Sequence, residues 1–255
     1  MDIKELRGWE GDVGRHWYYA SKAAALDRLL QPVRFRTIAD IGAGSGFFSR
    51  HLLEERPDAR EATCVDINYE SDRDEWLADK RVAYRRDAKG VGADLYLLMD
   101  VLEHVQDDVG LLSSVVQGAP ATAQFVVTVP AFSFLWSGHD EYLGHYRRYT
   151  LAQIADVARQ AGLIVEKGCY FFGTIFPAVA VVRMARRLLP SSAAPASDMK
   201  PLPALLNAVL RGVCRIEERA FTLNTAFGLT AFVLAMRGGA AVDRSGGSTG
   251  CQRKA

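Results

Sequence analysis

A short apolar run that turns through three glycines into a helix constrains this chain more than any other feature. RTIADIG, ending at Gly42, has the length and composition of a buried strand, GAGSG at 42–46 opens into FFSRHLLEERP, and Pro57 stops the helix so begun. EATCVDI at 61–67 is a second strand, so the three pieces form a βαβ unit. Glycine at such a corner lets the backbone approach a ligand closely, and the helix start offers unpaired amides. The spacing is GxGxG, whereas a dinucleotide corner needs GxGxxG, and position 47 is Phe, too bulky for a pyrophosphate. A nucleoside cofactor without phosphates fits better. Asp66 ends the second strand about twenty residues past the corner, where a carboxylate accepts hydrogen bonds from ribose hydroxyls.

Strand and helix signals continue to alternate. Residues 13–31 form an amphipathic helix with Trp17, Ala20, Ala24 and Leu30 at helical spacing, ended by Pro32. YRRDA follows a third strand, DLYLLMDV (94–101) and AQFVVTVP (123–130) are further strands, and LLSSVVQ is the helix between those two. Thr150 caps LAQIADVARQA, Gly162 ends it, and LIVEKGCYFF is a sixth strand. Then the pattern changes. FPAVAVVRMARRLLP, a Ser/Ala/Pro-rich linker and ALLNAVLRGVCRIEERAF make a helical insertion before a last strand, FGLTAFVLAMR. The expected fold is α/β: a Rossmann-like, seven-stranded, mainly parallel sheet with helices on both faces and a helical insertion before the last strand. The divisions are an N-terminal helical lid (1–34), a cofactor-binding core (35–172), the insertion (173–224), the last core strand (225–237) and a Gly/Ser-rich disordered tail (238–255).

DIGAGSG at 40–46, VDIN at 65–68 and DVLEHVQDD at 100–108 resemble the signature segments of class I S-adenosylmethionine-dependent methyltransferases, most closely the ubiquinone-biosynthesis-type small-molecule branch. The resemblance covers about residues 35–170. It implies S-adenosyl-L-methionine as cofactor, with Asp40 and the Gly42, Ala43, Gly44 and Gly46 corner around its methionine part. It further implies Asp66 on the ribose, Ile67 against the adenine face and Asp87 on the adenine amino group, with Met99 and Asp100 lining the cofactor and His104 following on the next helix.

Methyl transfer is an in-line displacement at a sulfonium, so the protein must align an acceptor and, for a hydroxyl or amine, remove its proton. The loop after VVTVP lies beyond the carboxyl end of its strand, where the acceptor belongs, and it is crowded: AFSFLWSGHDEYLGHYRRYT. His145 is the first candidate for general base, by its likeness to a pocket histidine of the ubiquinone-type enzymes, with His139 and His104 in reserve and Asp140 or Glu141 to orient it. Arg147 and Arg148 are candidates to clamp a carboxylate or phosphate, and Tyr18, Trp136 and Tyr146 to contact the acceptor. Trp17, Tyr18 and Tyr19 together suit a lid. The leading function is methyl transfer, as O-methylation, to a small-molecule or lipid-linked acceptor. The alternatives are N- or C-methylation, a nicotinamide-dependent oxidoreductase, and a non-catalytic binding module of the same fold.

Net charge is +1, which argues against a nucleic-acid partner. It hides an asymmetry. Residues 1–182 carry roughly six excess negative charges and 183–255 roughly seven excess positive ones, beside apolar runs that suit an anionic membrane surface through 173–220. The four cysteines, 64, 169, 214 and 251, show no metal or disulfide spacing, and no metal is expected. The polar start MDIKELRGWEGD lacks a signal-peptide core, and the apolar stretches fall short of a membrane span, so a cytoplasmic protein, peripheral to the inner face of the membrane at most, is the expectation.

Overall fold

The computed structural model describes residues 13–188, 196–198 and 202–238. An eight-stranded sheet runs through it in the order β3-β4-β2-β1-β5-β6-β8-β7. The strands are β1 Thr37–Ile41, β2 Glu61–Val65, β3 Arg73–Leu77, β4 Lys80–Arg85, β5 Leu95–Met99, β6 Gln124–Pro130, β7 Leu163–Phe171 and β8 Thr230–Arg237. β1 pairs parallel with β2 and β5, β2 with β4, and β5 with β6, while β3 and β8 run antiparallel to their neighbours.

The expected count of seven strands is therefore corrected to eight. The extra strand is β3, which forms a hairpin with β4 across Ala78, whose φ is 56°. ESDRDEWLADK is charge-rich, and β3 is largely exposed as an edge strand, so no apolar alternation marks it in the sequence. No helix connects β2 to β4 or β4 to β5, and the regular alternation of strand and helix lapses there.

Elsewhere the sheet is covered on both faces because its strands are apolar on both. On one face Ile38, Ala62, Val82 and Leu97 meet Leu26 of one helix, Leu30 just past its end and Leu52 of the next, all at most 1% exposed. These helices are α1, Trp17–Leu29, and α2, Phe47–Glu55. On the other face Ala39, Leu98, Phe125 and Val127 meet Leu112 of α3, Asp108–Gly118, and Ile154 and Ala158 of a helix following Thr150. Each buried leucine or isoleucine contributes about 2 kcal/mol relative to exposure. Within the segment after β6 lies α4, Gly138–Leu143, and after it α5, Leu151–Gln160, begun by a capping box between Thr150 and Gln153 and followed by Gly162 at φ 89°.

Two further helices, α6 Phe176–Leu188 and α7 Ala204–Glu218, lie between β7 and β8. They are tied to the core by polar contacts. Asn207 accepts from the Trp17 amide at 2.8 Å and donates to Arg15 O, so α7 supplies the start of α1 with a partner that its own sequence lacks. Glu217 accepts from the Gly173 and Thr174 amides ahead of α6. The described last strand begins at Thr230. The tail beyond Gly238 and the first twelve residues of the expected lid lie outside the described residues.

Candidate functional site

The corner between β1 and α2 is built as its glycines require. Gly42, Gly44 and Gly46 have φ of 69°, 56° and 72°, a region that side chains with a Cβ rarely adopt. At Gly42 a Cβ would also lie 2.7 Å from Val101, so the turn is pressed against the end of β5. Asp66 holds the corner from the neighbouring strand. One carboxylate oxygen accepts from the Gly44 amide at 2.9 Å, the other from the Asn68 amide and side chain, and the Tyr69 hydroxyl donates to Gly44 O at 2.7 Å. A carboxylate offers about four acceptor positions, so one remains for a ligand hydroxyl unless the Asn68 amide gives way. Ile67 stands 80% exposed beside it, an apolar side chain without packing at the place a flat base would cover. This corner fits a nucleoside.

Asp40, next to last in β1, lies behind the corner at 1% exposure and accepts from the Ser49 hydroxyl at 2.8 Å. Burial pushes its carboxyl up to about 6. Met99 is buried in the core, while Asp100 turns out of β5 at φ 56° and lines a neighbouring cavity. Asp87 lies apart, lining a polar groove with Glu61, Asp72 and Arg81 and accepting from the Lys89 amide.

Sequence reasoning missed two residues here. Lys22 is fully buried, and its ammonium donates to Asp100. Burial favours its neutral amine, but the Asp100 charge outweighs that and raises its pKa, while the same pair brings Asp100 down. The signal was present: Lys22 shares the helical stripe of Tyr19, Leu26 and Leu29, the face that α1 buries. Glu103 is also fully buried, and neither carboxylate oxygen has a hydrogen-bond partner among the described residues. Burial above all, then the Asp100 charge, lifts its pKa well above the ordinary carboxylate range.

The cavity beside Asp100 has a volume of about 460 Å³. Its walls come from α1 (Trp17, Tyr18, Tyr19), the turn after β5 (Glu103, His104), the 131–150 segment (His139, His145, Arg148) and α6 (Val179, Arg183). Tyr18 stacks on Phe172 at 5.0 Å between ring centroids. Trp136, Tyr146 and Arg147 are not among the lining residues; Tyr146 is 57% exposed, and Arg147 bonds Asp108 and Gln106 O.

Asp140 organises the 131–150 side of the cavity. It is fully buried, closes the α4 capping box with Ser137, takes two hydrogen bonds from Arg148 at 2.7 and 3.0 Å, and lies 2.9 Å from His145 Nδ1. Burial favours its protonated form, but the His145 hydrogen bond and the Arg148 charge prevail and hold its carboxyl well below the usual range. The arrangement fixes the imidazole and leaves Nε2 as the second nitrogen of a side chain only 5% exposed. The His104 and His139 rings lie 4.6 and 6.4 Å from that of His145. Glu103, His104 and His145 bring one donor atom each within 4.8 Å of one another, a separation that one divalent cation could bridge, although no sequence spacing foretold it. Arg148, spanned between Asp140 and Ala131 O, is a structural tie.

No protein-family model matches the chain, and neither does any curated protein. Its structure is similar to that in the complex of the Haloferax volcanii Trm112 methyltransferase activator with a candidate methyltransferase, at a TM-score of 0.53, 16% identity and coverage of 93% of this chain and 94% of that one. It is also similar to a candidate sarcosine dimethylglycine methyltransferase from Galdieria sulphuraria, at a TM-score of 0.51, 12% identity and 87% and 86% coverage. The fold is one that methyltransferases use. Among the described residues no helix is long and apolar enough to cross a membrane.

Proposed function

We propose that this chain transfers a methyl group from S-adenosylmethionine to a small-molecule or lipid-linked acceptor, by O-methylation with His145 as general base. The observation that carries the reading is two built features joined by α2: a left-handed glycine corner latched by Asp66, from which α2 starts, and a cavity lined by Phe48 of that helix and by His145, whose imidazole Asp140 holds from behind. The corner holds the nucleoside, with Asp66 on the ribose and Ile67 under the adenine. The bound cofactor supplies an electrophilic methyl on a sulfonium. His145 then takes the acceptor proton through Nε2 while Asp140 stabilises the imidazolium. Tyr18 and Trp17 of α1 close the cavity from above, and Val179 with Leu143 gives it apolar walls that keep water from the reacting atoms.

The lipid-linked option draws support from the insertion. Val181, Met184, Leu205, Val209 and Ile216 are each at least 53% exposed, among Arg187, Arg211 and Arg215, a mixture suited to the surface of an anionic membrane. The likeness to the ubiquinone-type branch belongs to the same proposal, and N- or C-methylation would use the same corner.

The test is calorimetry with S-adenosylhomocysteine. Wild type binds it, and Asp66→Ala, checked for retained fold by circular dichroism, weakens binding about 30-fold or more through loss of the ribose contact. Equal affinity in the two proteins removes Asp66 from the site. His145→Ala is expected to keep the cofactor affinity and to lower acceptor turnover about 100-fold, and undiminished turnover would discard its role as base.

A further inference from the structure

α6 turns one face to the cavity, with Val179, Val182, Arg183 and Arg186 at positions i, i+3, i+4 and i+7. Two of these four are arginines, and a third guanidinium, Arg148, shares the lining. Their counter-charges fall short. Of the buried carboxylates around the cavity, Asp140 is already committed to Arg148 and His145 and lies 3.9 Å from Arg183, and Glu103 forms no ion pair with Arg183 or Arg186 among the described residues. Arg183 also donates to Leu135 O, a neutral acceptor, and its other carboxylate partner is Asp198 at 3.0 Å, whose side chain is 44% exposed and whose attraction water therefore screens. Arg186 pairs with no carboxylate among the described residues. The Arg183 side chain is nevertheless only 13% exposed. A buried guanidinium short of negative charge is costly, and the cost is relieved when an anion arrives.

We propose that the α6 wall of the cavity receives an anionic group, a carboxylate or phosphate carried by the methyl acceptor, on Arg183 and Arg186. This rests on the methyltransferase reading and names the acceptor class within it: a molecule with an apolar body to meet Val179 and Val182 and a negative charge beside it. The clamp expected from sequence at Arg147 and Arg148 moves to the insertion, because Arg147 is held by Asp108 and Arg148 by Asp140. Burial first, and then repulsion from Arg148, lowers the pKa of Arg183, as a site with surplus positive charge would do.

The experiment titrates the purified full chain with benzoate, phenyl phosphate and the neutral benzyl alcohol, by calorimetry, with and without saturating S-adenosylhomocysteine. At least one of the anions binds about tenfold or more tightly than benzyl alcohol, and which one does so distinguishes a carboxylate from a phosphate on the acceptor. That advantage shrinks at least fivefold in Arg186→Met, an exposed position that leaves the fold alone, and also in Arg183→Gln, while Arg183→Lys keeps part of it. Parity of both anions with benzyl alcohol overturns the proposal, as does an advantage untouched in Arg186→Met and Arg183→Gln. Failure of wild type to bind S-adenosylhomocysteine would sink the methyltransferase reading instead, and the anion preference is still read in the cofactor-free titration.

Discussion

Two aspartates, Asp40 at the glycine corner and Asp140 beside His145, are equally hidden from water and titrate in opposite directions. They are 1% and 0% exposed. Asp40 has one neutral hydroxyl for a side-chain partner, and burial lifts it to about 6. Asp140 has a guanidinium, an imidazole and the Ser137 amide, and these overcome the same burial and hold it ionised. Burial sets the sign of a shift only until charged donors arrive. The corner is thus shaped by backbone, with its two aspartates held by neutral donors, whereas the His145 side of the cavity is a charged lattice whose side chains are held by one another.

The largest effect that tests this contrast is Asp140→Asn. Removing one member of a buried charge cluster leaves Arg148 uncompensated, at a cost of about 3–5 kcal/mol. Urea unfolding at pH 7 would read this as a large fall in midpoint, and a loss below about 1 kcal/mol would mean that the lattice does not hold the 131–150 segment. The pH dependence has a definite sign. Asp140 is depressed in the folded state, so its contribution is full above the unfolded carboxylate range near 4 and is lost as pH falls toward the lower folded value.

Asp40→Asn should do the reverse. A carboxyl lifted from 3.8 to about 6 penalises folding progressively as pH rises through that window, by up to about 3 kcal/mol once both states are ionised. Asparagine keeps the bond to Ser49 without the charge. The variant is therefore expected to be more stable than wild type at pH 7 and no more stable below pH 4. A variant destabilised equally at both values would show that Asp40 is ionised at no cost, through a partner other than Ser49.

The same contrast decides what could be read from the sequence. The corner's glycines and its aspartates lie within the contiguous stretch Asp40–Asp66, and its geometry follows from local rules: glycines where φ is positive, an acid at the end of a parallel strand, a helix between them. The Thr150 cap and the Gly162 stop were legible for the same reason. The cavity gathers α1, the turn after β5, the 131–150 segment and α6, and no spacing rule joins Tyr18 to Arg183 or Glu103 to His145. The crowding of polar and aromatic residues at 131–150 marked the right segment, but which arginine is a tie and which faces the cavity depends on where Asp140 lands. Lys22 and Glu103 escaped because charged residues on apolar stripes look like solvated exceptions until the pocket that buries them is seen. β3 escaped because an exposed edge strand has no apolar face to announce it.

The smallest effect sharpens the comparison from the corner's side. Ile67 is 80% exposed and touches no core cluster, so Ile67→Ser should leave the unfolding midpoint unchanged within error. If adenine lies on it, the substitution removes roughly half of an isoleucine's burial, about 1 kcal/mol, and weakens S-adenosylhomocysteine about fivefold. Adenosine should lose the same factor, because the lost contact belongs to the base and not to the amino-acid end. A loss for S-adenosylhomocysteine without one for adenosine would place Ile67 beside the methionine part, and the direction assigned to the nucleoside along the β1–α2 corner would have to be reversed.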